Sequence, residues 1–338
     1  MTSHDLNAAS PAEGGAAPRP AKGGDDERER RRQRRRSWRY RMDTKASPYG
    51  FILPFFLFFG AFGLFPLLFT GWAALHRVRL QDPGSMEWAG FHNFTRLMSD
   101  EFFWNALANT FTIGLISTVP QLCIALGLAH LLNYKMRGSN FFRVAMLTPY
   151  ATSVAAATLV FAMLYGRDYG MINWALGLVG IDNIDWEGGS WTSQFAISTI
   201  VIWRWTGYNT LIYLAAMQAV PKDLYESAAL DGASAWKQFL HVTLPSLRPT
   251  ILFTIVVSTI GATQLFGEPL LFGSGPSGGS QNQYQTLGLY MYEMGWFNFN
   301  LGRASAIAWA MFLLLIIIGL IYWAVSKWVT RGTTGKGD

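Results

Sequence analysis

Few residues of this 338-residue chain have types and spacings that suit catalysis. The stretch 275–279, GPSGG, has the form of the hydrolase motif G-x-S-x-G, but that motif needs a strand before it and a helix after it, and here it follows an apolar run. The five histidines lack metal-ligand spacing, and the one cysteine, Cys123, lies in an apolar run. The sequence also contains no G-x-x-x-x-G-K-[ST] phosphate loop. We therefore expect no catalytic residue, no metal site and no cofactor bound by this chain.

Two charged residues, Arg204 and Glu268, lie within or near the ends of apolar runs. Ionisable side chains inside a membrane are costly and often mark a transport pathway, although long side chains near helix ends also reach the headgroups. The residues around Arg204, in 203–210, combine aromatic rings with hydrogen-bonding groups. That mixture suits a sugar, but aromatic belts at membrane interfaces have the same composition.

The segment 219–249 is too polar to cross a membrane, and its regular pattern predicts a helix outside the bilayer. Pro221 suits the start of a helix. Gly232 interrupts the pattern, and a glycine there favours a turn between two short helices or the close approach of another backbone. An amphipathic helix lying at the headgroups is the alternative.

The elements that must position these residues are apolar helices, because 51% of the chain is apolar and only 14% is charged. A helix of about 20 apolar residues crosses the hydrocarbon layer, and helices satisfy their backbone polar groups internally. The sequence predicts an all-α membrane protein with six spans, at about residues 50–75, 105–132, 142–165, 195–218, 249–272 and 303–326.

Charge predicts the orientation. Residues 1–45 hold 12 of the 27 Lys+Arg and 7 of the 21 Asp+Glu, and their arginine run precedes the first apolar run. Such a cluster binds anionic lipid and keeps its side of the membrane cytoplasmic, which explains the arginines without nucleic acid. We expect a disordered basic cytoplasmic tail at 1–45, a six-helix transmembrane domain at 46–330 and a cytoplasmic tail at 331–338, with both termini in the cytoplasm.

The loop resembles the EAA loop of binding-protein-dependent ABC importer permeases, whose pattern is E-A-A-x3-G-x9-I-x-L-P. Here the pattern reads Glu226-Ser227-Ala228, then Gly232, then Val242-Thr243-Leu244-Pro245. Ser227 replaces the first alanine and Val242 replaces isoleucine, both small changes. The stretch 88–94, WAGFHNF, is similar to the W-x-G-x-x-N-[FY] stretch of sugar permeases, and with 302–306, GRASA, the resemblance extends over about residues 48–328.

The resemblance implies a type I ABC importer permease of the maltose/multiple-sugar family, in a bacterial cell membrane, with a cytoplasmic coupling helix between spans four and five. It implies a second permease subunit, an ATPase dimer that holds ATP and magnesium, and an extracytoplasmic sugar-binding protein as partners. The coupling residues would be Glu226, Ser227, Ala228, Asp231, Gly232, Leu244 and Pro245. The substrate pathway would include Trp203, Arg204, Thr206, Gly207, Tyr208, Thr210, Thr263, Gln264 and Glu268.

The segment 281–300 is rich in aromatic residues, and we expect a surface helix at the outer interface. With the glycine-rich loop before it, it most resembles permeases for cello-oligosaccharides or related β-glucosides in high-GC Gram-positive bacteria. A stand-alone secondary transporter is the alternative function, and it would carry paired carboxylates at mid-membrane. A membrane enzyme would need an acid/base pair, for which only Asp182, Asp185 and Glu187 cluster near the outer face.

Overall fold

The structure is a computed structural model that describes residues 47–134, 137–273 and 275–334. The basic tail predicted for residues 1–45 lies outside the described residues, as do the last four residues of the predicted tail 331–338. The chain divides into two compact units, Met1–Pro66 and Leu67–Asp338. The predicted domain limits at 46 and 330 stay a prediction.

The described residues form fifteen α-helices and one two-stranded sheet, with three π-helical stretches at Gly60–Leu64, Phe239–Thr243 and Glu293–Phe297. In chain order the elements are α1 (Ser47–Phe59), α2 (Phe65–Ala74), β1 (His76–Arg79), β2 (Asp82–Trp88), α3 (His92–Met98), α4 (Glu101–Asn133), α5 (Ser139–Ala151), α6 (Val154–Leu164), α7 (Met171–Gly177), α8 (Ser190–Gln218), α9 (Lys222–Leu230), α10 (Ala235–Gln238), α11 (Leu244–Ser246), α12 (Arg248–Thr263), α13 (Gly267–Phe272), α14 (Leu287–Tyr292) and α15 (Leu301–Thr334).

Three helices in the described part of the chain are long and apolar enough to cross a membrane: Tyr49–Ala74, Glu101–Asn133 and Leu301–Ala324. They correspond to the predicted first, second and sixth spans. Two bent helix pairs, Ser139–Ala151 with Val154–Leu164 and Ala235–Ser246 with Arg248–Thr263, raise the number to five if each pair is one span. Helix α8 covers the predicted fourth span and has 29 residues, but its polar side chains keep it outside that set. The total of six spans therefore remains a prediction.

The predicted third and fifth spans are broken rather than continuous. Helices α5 and α6 meet at an angle of 90°, because Thr152 and Ser153 between them adopt extended backbone. Pro149 weakens the preceding turn by removing one backbone donor. Helix α12 ends at Thr263 and α13 begins at Gly267. The sequence pattern showed continuous apolarity across both breaks, which does not require a continuous helix.

Two buried clusters lie along α4 and α8. The hairpin-end core, named for the β-hairpin near the start of α4, consists of Ile113, Tyr165, Trp186, Ala196, Ile197, Ile200, Val201, Leu265, Phe272 and Tyr284. The loop-end core consists of Ala125, Ala129, Leu132, Tyr213, Leu214, Met217, Phe239 and Leu247. Helices α4 and α8 contribute to both cores and form the central pair of the fold.

The segment 281–300 is the predicted surface helix only in part. Its residues from Gln283 to Tyr290 are all buried, whereas Trp296, Phe297 and Phe299 are exposed. Asn109 Nδ2 donates to the carbonyl oxygen of Asn282 at 2.9 Å, and Gln194 Nε2 donates to the carbonyl oxygen of Gln283 at 2.9 Å. Polar partners on α4 and α8 thus hold the first half of a segment whose composition alone suggested an interface.

The stretch 88–94 has a structural role. Gly90 adopts a left-handed φ of 54°, and Asn93 Nδ2 donates to the carbonyl oxygens of Ala74 and His76 at 2.8 and 2.9 Å. Gly302, from the stretch 302–306 that also carried the resemblance, packs against the His76 carbonyl group. A Cβ at position 302 would lie 2.3 Å from that carbonyl oxygen. The two sequence signatures meet in one packed junction.

Candidate functional site: the 219–248 loop and the polar centre

The loop at 219–248 forms two short helices joined by a turn at Gly232. Helix α9 ends at Leu230, Gly232 has a φ of 76° and α10 begins at Ala235. This conformation is strained for residues with a Cβ, although a Cβ at Gly232 would meet no atom within 4 Å. The turn predicted from the position of this glycine is confirmed, and backbone conformation rather than close packing requires it.

The base of the loop is anchored to the loop-end core. Tyr225 Oη and Thr243 Oγ1 share a hydrogen bond of 2.9 Å between the two halves of the loop. The Phe239 ring lies 4.6 Å from the imidazole ring of His130 near the end of α4, and Phe239 is buried. Movement of the loop must therefore displace side chains that pack on α4 and α8.

The far side of the loop is uncovered. Glu226, Ser227, Asp231 and Gly232 are exposed, whereas Ala228, Leu244 and Pro245 are half-buried. Leu230 is 90% exposed and Trp236 is 65% exposed, which is unusual for large apolar side chains outside an interface. The predicted coupling residues on α9 and the turn are thus exposed except for Ala228, whereas Leu244 and Pro245 next to α12 are half-buried.

Arg204 and Glu268 form a buried ion pair. Arg204 Nη1 donates to Glu268 Oε1 at 2.7 Å, and the two side chains are 10% and 6% exposed. The pair joins α8 to α13, the short helix that follows the break in the fifth predicted span. Each charge neutralises the other, so neither needs to reach the headgroups. The sequence identified both residues but not their contact.

The remaining pathway candidates do not line one cavity. The hydroxyl groups of Thr206 and Thr210 donate to carbonyl oxygens of their own helix. Gly207 packs closely against α5, since a Cβ at this position would lie 1.7 Å from the Met146 carbonyl oxygen. The Tyr208 ring stacks on Tyr150 at 4.8 Å, which sequence reasoning missed because Tyr150 is a lone tyrosine in an apolar helix.

The other three candidates lie on separate faces. Trp203 is 41% exposed and its ring lies 5.4 Å from that of Phe161. Thr263 lines an apolar groove of about 480 Å³ between α4 and α12, which also includes Tyr213. Gln264 lines a different groove, of about 500 Å³, beside α14 and α15. The nine predicted pathway residues therefore share no single cavity within the described part of this chain.

A second buried charge cluster was missed by the sequence analysis. Asp100 accepts hydrogen bonds from Tyr290 Oη and from Arg303 Nη2, and Arg303 Nη2 also donates to Tyr290 Oη at 2.9 Å. Burial, followed by the hydrogen bond to Asp100, raises the pKa of the Tyr290 hydroxyl above its ordinary value. The three residues are far apart in sequence, so no local pattern indicates the cluster.

The described residues contain no group of three or more His, Cys, Asp or Glu side chains placed to hold a metal ion. The buried or partly buried charges Arg204, Glu268, Asp100 and Arg303 form ion pairs, and the 219–248 loop exposes large apolar side chains. This arrangement suits transmission of movement between a docking surface and packed helices.

Comparison with known proteins identifies the family. Residues 121–335 match the family described as binding-protein-dependent transport system inner membrane component. The chain belongs to this family. The matched region begins within α4 and includes the 219–248 loop, both bent helix pairs and all of α15.

Relatives extend the match towards the N terminus. The chain is 32% identical over 305 residues to the arabinooligosaccharides transport system permease protein of Halalkalibacterium halodurans, covering 90% of this chain and 93% of that protein. It is 30% identical to the trehalose/maltose transport system permease protein of Thermococcus litoralis, covering 82% and 93%. Both are permease proteins of transport systems, and this inner membrane component is a transport subunit as well.

The fold is also similar to that of a bacterial ABC transporter involved in the import of the acidic polysaccharide alginate. The TM-score is 0.74 at 22% identity, and the match covers 87% of this chain and 99% of that chain. At this identity the similarity shows the fold alone. The overall fold of this inner membrane component therefore has a counterpart in a solved transporter structure.

Proposed function

We propose that this chain is the permease subunit of an ATP-driven carbohydrate importer, working by alternating access with six membrane-spanning helices and a coupling helix between spans four and five. Family membership and the sugar-transport relatives support the permease role. The sequence has no phosphate loop, so the energy comes from a separate ATPase, on which ATP and magnesium are bound.

The observation that carries the proposal is the 219–248 loop. It exposes Glu226 and a large apolar residue, Leu230, on the side away from the protein. It is anchored through Phe239 to the core that α4 and α8 share. To convert movement of an ATPase into movement of helices, a loop must bind the ATPase on one side and pack against the helices on the other. The 219–248 loop has both features.

The partners follow from what this chain leaves uncovered. The most apolar windows of Glu101–Asn133 and Leu301–Ala324 are only 22% and 28% buried within the chain. We propose that a second permease subunit and membrane lipid cover these helices. An ATPase dimer would bind the loop, and an extracytoplasmic sugar-binding protein would deliver substrate at the opposite end. An alginate ABC transporter of similar fold in complex with an alginate pentasaccharide-bound periplasmic protein supports that partner.

The location proposed is the bacterial cell membrane, with both termini in the cytoplasm. The arginine-rich tail and the lysines and arginines of 219–248 support this orientation. In this arrangement the 219–248 loop faces the ATPase in the cytoplasm. Residues 46–330 would form the permease domain.

The substrate proposed is an oligosaccharide, with cellobiose or cello-oligosaccharides as the specific expectation. Relatives named for arabinooligosaccharides, trehalose/maltose and lactose support the oligosaccharide class. The pathway would pass the break after α12, where Thr263 and Gln264 lie, and would be completed by the second permease. Ring faces such as that of Trp203 suit the C–H faces of sugars.

The experiment compares loop variants in the assembled transporter. We expect Glu226→Lys and Gly232→Val to leave the protein in the membrane and to abolish substrate-stimulated ATP hydrolysis. Asparagine tolerates a left-handed backbone, so Gly232→Asn should retain most of the substrate-stimulated ATP hydrolysis. Asp182→Lys, an exposed acid elsewhere, is the matched charge control and should change nothing.

Normal stimulation in both Glu226→Lys and Gly232→Val would refute the docking role. Sugar uptake by the purified chain alone, driven by a proton or sodium gradient without nucleotide, would support the stand-alone secondary transporter instead.

A further inference from the structure

A polar pocket of about 440 Å³ lies at the end of the protein opposite the 219–248 loop. It is formed by residues within 185–188, just before α8, and within 275–283, between α13 and α14. The 219–248 loop follows the other end of α8, so in the orientation proposed above the pocket faces the outside of the cell. Its volume is typical of sites that bind small molecules.

Hydrogen bonds hold the two walls of this pocket in place. Gln283 Nε2 donates to the carbonyl oxygen of Glu187 at 2.8 Å and so joins the walls. Ser277 Oγ donates to Glu293 Oε1 at 3.1 Å, and Asn282 Nδ2 donates to the carbonyl oxygen of Ser277 at 2.8 Å. Asn282 itself has a left-handed φ of 55°, a conformation that persists only where the surroundings impose it and that is frequent at binding sites. The pocket is therefore preformed.

The lining of the pocket suits a ligand that carries hydroxyl groups and no negative charge. Asp185 and Glu187 contribute carboxylates, and Ser277 and Ser280 contribute hydroxyl groups. Carboxylates only accept hydrogen bonds, whereas hydroxyl groups both donate and accept. None of the described lining residues is basic. A neutral saccharide supplies the donors that these groups need, while a sugar acid would place its charge beside two like charges.

An unpaired hydroxyl group lies beside one of the pocket carboxylates. Tyr284 is fully buried, and its hydroxyl has no hydrogen-bond partner among the described residues, although buried polar groups are nearly always paired. A Cβ at Gly273 would lie 1.8 Å from Tyr284 Oη and 2.7 Å from Glu187 Oε1. The hydroxyl and the carboxylate thus approach one point, beside a residue that has no side chain. A ligand hydroxyl near this point would donate to the carboxylate and accept from the tyrosine.

We propose that this pocket is an outer binding site for a neutral saccharide, with Glu187 and the Tyr284 hydroxyl among its hydrogen-bonding groups. This inference rests on the proposed function and adds to it a site that holds the sugar outside the membrane-spanning helices. The carboxylates of its wall select against sugars that carry uronic acid groups. The fold itself does not set this preference, because a transporter of similar fold is involved in the import of the acidic polysaccharide alginate.

The experiment measures sugar binding to the full chain in phospholipid nanodiscs, so that no glycoside detergent competes. Cellobiose, maltose and lactose are the neutral probes, digalacturonic acid is the acidic probe, and affinities come from NMR titration of each sugar. Ser280→Trp blocks the pocket at its exposed rim. Ser99→Trp, at an exposed serine outside the pocket, is the matched control. Glu187→Gln removes one charge from the wall with little change of shape.

We expect the parent to bind at least one neutral sugar, and to bind it more tightly than digalacturonic acid. Ser280→Trp and Glu187→Gln should each weaken that binding about tenfold, the loss expected for one hydrogen bond to a charged group, and Ser99→Trp should leave it unchanged. Glu187→Gln should also narrow the preference over digalacturonic acid, whereas mere loss of structure would weaken both sugars alike. No binding of any neutral sugar by the parent, equal or tighter binding of the acid, or unchanged affinity in Ser280→Trp overturns the site.

A second measurement separates this site from the proposed function. Uptake of the same three neutral sugars, radiolabelled, is followed in the assembled transporter. Uptake by a parent that shows no sugar binding at the pocket overturns the site and leaves the proposed carbohydrate import standing. Binding at the pocket without uptake of any of the three sugars overturns the proposed import, while the site stands. Loss of stimulation by the sugar-binding protein in Ser280→Trp, with sugar affinity unchanged, assigns the pocket to that protein and overturns the site.

Discussion

Removing one partner of the Arg204–Glu268 pair leaves an uncompensated charge in the packed centre. The two side chains are 10% and 6% exposed and 2.7 Å apart, so water cannot replace the missing partner. Breaking a buried ion pair in this way costs about 3–5 kcal/mol. We expect Arg204→Met and Glu268→Met each to lower the free energy of unfolding by about that amount. The double variant should recover most of the loss, because well-packed apolar residues substitute for both charges.

The assay is denaturant-induced unfolding of the purified chain in detergent, followed by tryptophan fluorescence, as a double-mutant cycle. We expect the loss of unfolding free energy in the double variant to be much smaller than the sum of the two single-variant losses, which shows that the two residues depend on each other. The charge swap Arg204→Glu/Glu268→Arg provides a further control, since it keeps both charges at the same contact. Single-variant losses below about 1 kcal/mol, or additive losses in the double variant, would refute the inference that the pair ties α8 to α13.

Three further predictions concern packing and backbone conformation. Gly207→Ala should destabilise the protein by about 1–3 kcal/mol, because the new Cβ would lie 1.7 Å from the Met146 carbonyl oxygen. The control Gly127→Ala, whose Cβ would meet no atom within 4 Å, should be neutral or stabilising in the same unfolding assay. Asn93→Ala should cost about 1–3 kcal/mol, since two carbonyl oxygens lose their donor; an unchanged midpoint would contradict this. Gly232→Val should cost about 1–2 kcal/mol and Gly232→Asn less, measured by melting temperature, and equal values would show that φ is not the constraint.

Local patterns predicted much of the fold. Sustained apolarity located the three long spans, because membrane-spanning helices need little beyond length and composition. Gly232 located the turn in the loop, because few other residues adopt its backbone conformation. The breaks at Thr152 and Gln264 could not be predicted in this way, since an apolar run reads the same whether its helix is straight or broken.

The polar contacts were less predictable because they depend on tertiary placement. Arg204 and Glu268 are 64 residues apart, and their pairing follows only from the position of α13 against α8. The burial of 283–290 likewise depends on amide partners on α4 and α8, which no pattern within the segment reveals. Sequence thus indicated which side chains were unusual, while the fold decided which of them meet.

The most direct test of the central claim is site-specific photo-crosslinking from the loop. A photoreactive residue at Leu230, which is 90% exposed, is introduced into the chain in its native membrane, and the captured protein is identified by mass spectrometry. The same residue at Tyr169, fully exposed at the opposite end, is the control. The proposed role predicts capture of an ATP-hydrolysing subunit from Leu230 and not from Tyr169. Capture of lipid alone from Leu230, or of the ATPase from Tyr169, would contradict it.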